Sequence, residues 1–125
     1  VSAPLPTCHV VGGGLAGCEA ALQLSRLGLA VVLHEMRPHR LTPAHRGGRL
    51  AEIVCSNSFK SNDPATASGL LKAELDLLGC RLLGAARAAA VPGGNALAFD
   101  RDLFAAGVEE MVAADRRITV VRNEV

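Results

Sequence analysis

Apolar positions along the chain follow two rhythms. Thr7-Cys8-His9-Val10-Val11 and Leu29-Ala30-Val31-Val32-Leu33-His34-Glu35 are nearly continuous apolar runs without alternation, as buried parallel strands are. Between them, from Leu15, the apolar residues Ala16, Ala20, Ala21, Leu24 and Leu27 fall at helical spacing, and Gly28 is the natural stop. Residues 1–6 read as a loose lead-in with two prolines. Strand, glycine turn, helix and strand in succession predict a βαβ unit over residues 7–35.

Residues 36–64 form a long connection that holds Pro38, Pro43, Gly47, Gly48 and Pro64. A connection of this length is expected to be functional or to conceal short elements. Helical spacing returns over 68–78, with Leu71, Leu75 and Leu78 on one face and Gly79 at the end. An Ala/Arg stretch follows and is broken by Pro92-Gly93-Gly94. Asp100 is the expected N-cap of a helix whose Phe104, Val108, Met111 and Val112 share a stripe, and 118–121 reads as a third strand. The expected organisation is one domain over 1–125: the βαβ unit 7–35, a loop and helical insertion 36–99, and a helix with a third strand over 100–125. No internal repeat or linker interrupts it.

The first turn carries chemistry. Gly12-x-Gly14-x-x-Gly17 follows an apolar strand and opens a helix, and Glu35 ends the next strand 21 residues after Gly14. Those are the context tests for a dinucleotide fingerprint. Gly12 permits the tight turn, Gly14 lets backbone approach a pyrophosphate, and Gly17 lets helix and strand pack closely. The helix start then offers free N–H groups and a partial positive charge to phosphate. Glu35 suits the two hydroxyls of an adenosine ribose and would repel a ribose phosphate, so NADP is disfavoured here. It does not separate FAD from NAD.

Composition narrows the classes. Thirteen basic against twelve acidic residues leave a net charge of +1, which is no polyanion-binding signature for the chain as a whole. Three Phe and no Trp or Tyr make base stacking on aromatic platforms an unexpected role for this segment. No apolar run is long enough to cross a membrane. Charge is nevertheless uneven: Arg37, Arg40, Arg46 and Arg49, with His39 and His45, lie together without an intervening acid. Such a stretch could meet cofactor phosphates, an RNA backbone or a polyglutamylated substrate. The four cysteines, Cys8, Cys18, Cys55 and Cys80, show neither zinc-ligand nor redox-pair spacing, and no metal site is expected. Cys8, Cys18 and Cys80 fit structural positions. Cys55 precedes Ser56-Asn57-Ser58, and a helical turn opening there would lower its thiol pKa. No basic segment precedes an apolar one at the start, so the cytoplasm is the expected compartment. The start at Val1 and the stop at Val125 beside a strand give the expectation of an N-terminal portion of a longer protein.

Several strings are specific enough to carry a resemblance. Gly12-Gly13-Gly14-Leu15-Ala16-Gly17-Cys18-Glu19-Ala20-Ala21 resembles the opening of the tRNA-modifying flavoproteins of the glucose-inhibited-division type. Within that family, four further stretches resemble the folate- and FAD-dependent tRNA (uracil-5-)-methyltransferases. They are Glu35-Met36-Arg37-Pro38, Thr42-Pro43-Ala44-His45, Ala51-Glu52-Ile53-Val54-Cys55-Ser56-Asn57-Ser58 and Gly69-Leu70-Leu71-Lys72-Ala73-Glu74. Val91-Pro92-Gly93-Gly94-Asn95-Ala96-Leu97-Ala98-Phe99-Asp100-Arg101 continues the likeness. The cysteine-containing string discriminates, because the relatives that modify wobble uridines carry a cysteine-asparagine-proline segment there. Arg46-Gly47-Gly48-Arg49-Leu50 departs from the usual threonine-containing stretch that ends in phenylalanine, and Phe59-Lys60 also departs.

The resemblance implies an α/β fold: a Rossmann-like FAD-binding domain of the glutathione-reductase type, incomplete here, with a parallel sheet and a helical insertion. It implies FAD held by Gly12, Gly13, Gly14, Leu15, Ala16, Gly17, Glu35 and Arg37, and Cys55 as a catalytic thiol. Methylenetetrahydrofolate is the implied carbon donor and NAD(P)H the implied source of electrons. The implied product is 5-methyluridine in the T loop of tRNA, with most tRNA and folate contacts outside these residues and the isolated chain inactive. A thiolate adding to carbon 6 would make carbon 5 of uracil nucleophilic. The family uses a second cysteine further along, so which thiol attacks which carbon stays open. Competing readings are the wobble-uridine modifier, another FAD oxidoreductase, and a non-catalytic dinucleotide-binding module.

Overall fold

A computed structural model describes residues 6–125, so most of the 1–6 lead-in lies outside the described residues. Three parallel strands form the main sheet: β1 (Thr7–Val11), β2 (Ala30–His34) and, last in the chain, β5 (Ile118–Val121). Their order is β1-β2-β5, with Thr7 opposite Ala30 and Val31 opposite Ile118. Helix α1 (Leu15–Arg26) joins β1 to β2, and α4 (Arg101–Ala114) leads into β5. Both pack on the same face, where Val31, Leu33 and Ile118 meet Cys18, Ala21, Leu22, Phe104, Val108 and Val112 in the core. The stripe expected on the last helix is the buried one, with Met111 at its margin, and Asp100 accepts from the N–H groups of Asp102 and Leu103 as its cap.

The strands differ from their expected burial. Among the described residues helices cover one face only, so burial alternates along β2, and β1 has no fully buried residue. Val11 is 66% exposed, because β1 has one strand partner here and its outward face meets no described element. A continuous apolar run identified the strands and overstated how much of them is covered.

Between β2 and α4 lies the insertion. The long connection does conceal an element: β3 (Ser58–Ser61) pairs antiparallel with β4 (Ala96–Ala98) across an irregular register, and α2 (Ala67–Leu77) and α3 (Arg81–Ala88) lie between them in sequence. Helix α2 starts at its Thr66 cap, whose Oγ1 accepts from Gly69 N. Its leucine stripe is only partly covered: Leu75 packs against the core, Leu71 is 55% and Leu78 70% exposed, and the buried positions are Gly69 and Lys72. The reason is Lys72, whose Nζ donates to the carbonyl oxygens of Phe59, Ser61 and Ser68 and so fixes which side of α2 meets β3. Helical spacing located α2; a charged residue set its rotation. The Ala/Arg stretch forms α3. Phe59, Phe99 and Phe104, the chain's three aromatic rings apart from histidine, pack on one another with centroids 4.7 to 5.7 Å apart; Phe99 and Phe104 are fully buried and Phe59 partly so.

Helix α3 has no cap of its own. Its N-cap residue is Cys80, which makes no side-chain cap bond, and Glu19 of α1 accepts instead from Arg81 N at 3.0 Å and Leu82 N at 2.9 Å. Burial would raise the Glu19 carboxyl, but these donors together with Gln23 hold it below the usual range. Glu19→Ala is therefore expected to lower stability by about 1–2 kcal/mol in urea unfolding at neutral pH. Because the folded carboxyl is the stronger acid, that contribution is complete above its ordinary pKa and fades as pH falls below it. A variant as stable as the wild type at pH 7 would contradict this.

Candidate dinucleotide site and its cysteine loop

The glycine turn connects the end of β1 to α1. Gly12 has φ of +100°, a left-handed conformation that favours glycine, and its N–H donates to His34 O of β2 at 2.8 Å. Gly14 is the N-cap of α1, makes no side-chain cap bond, and no acid lies in the first turn. Cys18 N to Gly14 O, 3.0 Å, is the first bond of the helix, so the preceding N–H groups of the first turn point outward without a capping side chain. A Cβ at Gly12 or Gly14 would meet nothing within 4 Å, whereas one at Gly17 would lie 1.8 Å from Gly12 O. Open space over Gly12 and Gly14, beside an uncapped helix start, is a cradle of the kind a diphosphate fits. It opens on a cleft of about 320 Å³ at the ends of the strands, lined by Gly12, Gly14, His34, Glu35 and Met36 among others.

Gly13 faces the other way. A Cβ there would sit 2.5 Å from Leu50 Cδ2 and 2.8 Å from Glu35 Oε2. Its N–H donates to Glu35 Oε2 at 2.8 Å and its carbonyl accepts from Ala51 N at 2.8 Å. The middle glycine therefore joins the turn to the loop that carries Cys55. Leu50 is 2% exposed and closes this contact.

Glu35 and Arg37 are both inside, 4% and 2% exposed. Oε1 of Glu35 accepts from Arg37 N at 2.8 Å and Nε at 2.9 Å; Oε2 accepts from Gly13 N and from Arg37 Nη2 at 2.9 Å. Arg37 Nη1 reaches Glu52 Oε2 at 2.9 Å. Burial pushes the Glu35 carboxyl up, but the bonds from Arg37 and Gly13 outweigh it and bring it down to about 2. Both residues border the cleft, with the guanidinium turned to the two acids.

Two further arginines of the basic stretch also meet acids, and these are distant in sequence. Arg40 pairs with Glu124, and Arg49 lies 3.4 Å from Glu109. Glu109 of α4 also accepts from Leu50 N at 3.0 Å, and Arg122 after β5 donates to the carbonyls of Arg37 and Gly48. Glu52 takes the N–H groups of Arg46 and Gly47. Sequence reasoning missed Glu52, Glu109 and Arg122. Glu52 lies three residues before Cys55, but only the fold shows what it holds; the other two have no local signal.

Cys55 is exposed, while burial pushes the Cys18 thiol up to about 11 and also raises that of Cys80. The expected helical turn after Cys55 is absent. Ser58 opens strand β3 instead, so no helix start lies behind the thiol. What the fold does supply is company. Cys55 shares an apolar groove of about 590 Å³ with Leu15 and Ala16, the first two residues of α1, and with Ile53, Phe59 and Leu71. On its other side it borders a smaller cavity with Arg101. The glycine turn and the cysteine loop, separate in sequence, thus meet at one end of α1.

Nearly the whole chain is similar to known proteins. The family described as "Glucose inhibited division protein A" matches residues 7–125. A methylenetetrahydrofolate–tRNA-(uracil-5-)-methyltransferase TrmFO of Solibacter usitatus is 58% identical over 94% of this chain and 26% of its own length. The proteins of the same name from Rhodopseudomonas palustris (strain BisB18) and Oleidesulfovibrio alaskensis are 55% and 48% identical over 99% and 97% of this chain, and over 26% and 27% of their own lengths. The chain spans about a quarter of the length of these curated relatives. Since the family match takes in the glycine turn, the Glu35–Arg37 pair, the cysteine loop and every strand, the chain belongs to the glucose inhibited division protein A family.

Proposed function

We propose that this chain forms the FAD-binding and thiol-bearing part of a tRNA (uracil-5-)-methyltransferase that takes its carbon from methylenetetrahydrofolate. The observation that carries the reading is the shared groove, in which an uncapped helix start and an exposed cysteine meet. The names of relatives at 48 to 58% identity support the substrate class.

In this reading the outward N–H groups of Leu15, Ala16 and Gly17 hold the FAD diphosphate, and Gly12 and Gly14 let it approach. Glu35 stands on the wall of the cleft that takes the adenosine. Bound FAD, reduced by NAD(P)H, supplies the electrons that bring a transferred one-carbon unit to the methyl level. Cys55 acts as a nucleophilic thiol at the transfer centre. The uridine is that of the T loop, and it must leave its stack to come within reach of the thiol. With Phe99 and Phe104 buried and Phe59 packed against them, most base recognition falls to other parts of a polypeptide of the relatives' length. The enzyme works in the cytoplasm.

The test is made on the full-length protein. Purified, it is expected to be yellow and to transfer label from methylenetetrahydrofolate to T-loop uridine. Cys55→Ala is expected to lower single-turnover methylation by at least about 100-fold while FAD stays bound. A colourless protein would sink the flavoenzyme reading. A yellow one without incorporation would point to a different flavin reaction, and unchanged methylation by Cys55→Ala would remove that thiol from the chemistry.

A further inference from the structure

The contacts of Glu35 pose a problem for ligand binding. A carboxylate offers about four acceptor positions, and here two are taken by backbone N–H groups, of Gly13 and Arg37, and two by the guanidinium of Arg37. A ribose diol arriving in the cleft must compete with one of these donors. The two backbone donors are fixed by the turn and by the chain itself. The guanidinium sits on rotatable bonds, and its Nη1 already donates to a second acid, Glu52.

We propose that Arg37 is a positioning residue that ties Glu35, on the wall of the dinucleotide cleft, to Glu52, three residues before Cys55, so that a ligand at Glu35 resets the Cys55 loop. The inference rests on the dinucleotide reading above and extends it to communication between cofactor and thiol. Glu52 is a suitable receiver, because its carboxylate also holds the N–H groups of Arg46 and Gly47. A guanidinium that gives up Glu35 and turns to Glu52 therefore acts on the whole 46–52 stretch. There is little slack on the way. Leu50 is in close contact with Gly13, and Ala51, at φ of +53°, donates to the Gly13 carbonyl. From behind, the loop is held by Glu109 on Leu50 N and by Arg122 on the carbonyls of Arg37 and Gly48.

The experiment follows Cys55 alkylation by iodoacetamide in the full-length protein, stripped of flavin and read site by site by mass spectrometry, with and without saturating ADP. ADP carries the ribose and diphosphate but no flavin ring to cover the thiol. Wild type is expected to change its Cys55 rate by about 5-fold or more on ADP binding, with Cys8 as the internal control. Glu52→Gln is expected to bind ADP within about 3-fold of wild type, followed by calorimetry, and to lose most of that dependence. Arg37→Lys, which keeps the charge but cannot fork between two carboxylates, provides a second variant with the same expected loss. An ADP effect undiminished in either variant would show direct shielding and overturn the proposal. ADP binding without any change in wild-type alkylation would overturn it as well and leave the dinucleotide reading standing. Absence of ADP binding would end both.

Discussion

Arg37→Met is expected to destabilise the protein by about 3–5 kcal/mol in urea unfolding at pH 7, although methionine fills a similar volume and the site is almost fully enclosed. The guanidinium is 2% exposed and satisfies two carboxylates at once. Its removal leaves Glu35, 4% exposed, with only the N–H groups of Gly13 and Arg37 for a full negative charge. Breaking one side of a buried pair is far more costly than replacing both sides. Adding Glu35→Gln to Arg37→Met should therefore recover part of the loss, which distinguishes an orphaned charge from lost packing. The pH dependence carries the same signature. Glu35 titrates at about 2 in the folded protein against an ordinary 4.5, so its contribution of about 3 kcal/mol is complete above pH 4.5 and disappears as pH falls toward 2. Arg37→Met should flatten that stretch of the stability profile. A loss below about 1 kcal/mol with the profile unchanged would mean that the buried pair does not hold the turn.

How much of this was legible in the sequence depended on the range of the interaction. The βαβ unit, the Asp100 cap and the third strand were readable because their causes are local: apolar runs, a capping carboxylate and glycines at turns. The fingerprint spacing likewise located a turn whose three glycines have the expected geometry at Gly12, Gly14 and Gly17. What failed to show was anything decided across the fold. Seen alone, residues 37–49 are a basic patch; folded, three of their four arginines meet Glu35, Glu52, Glu109 or Glu124. Of the stripe Leu71, Leu75 and Leu78 on α2 only Leu75 packs against the core, because Lys72 beside it finds three carbonyls and turns the other two toward solvent. Cys55 was found by its string, while the helix expected behind it gave way to a strand paired with residues 96–98. Residue strings named the site; long-range partners decided what each charge in it is free to do.

Gly17→Ala and Gly14→Ala, the same substitution three residues apart, should have opposite consequences. A Cβ at Gly17 would lie 1.8 Å from the carbonyl oxygen of Gly12 and 3.0 Å from its carbon, and both are backbone atoms of a turn fixed by Gly12 N to His34 O. Neither α1 nor β1 can withdraw without separating Cys18 and Ala21 from the core they share with Val31 and Leu33. The expected loss is about 4 kcal/mol or more, read as a large fall in the urea midpoint or as failure to fold. At Gly14 a Cβ meets nothing within 4 Å, and φ of −77° suits any residue, so Gly14→Ala should change stability by no more than about 1 kcal/mol. Its effect belongs to binding. The methyl group would occupy the open side of the helix start, where the diphosphate must come close to backbone N–H groups, and FAD affinity should fall by about 10-fold or more. Titrating FAD into the flavin-stripped variant, with its unfolding curve measured in parallel, separates the two effects. If Gly14→Ala were to bind FAD as tightly as the wild type, the diphosphate would not lie at the start of α1, and the role of this turn would be to join β1 to α1 and nothing more.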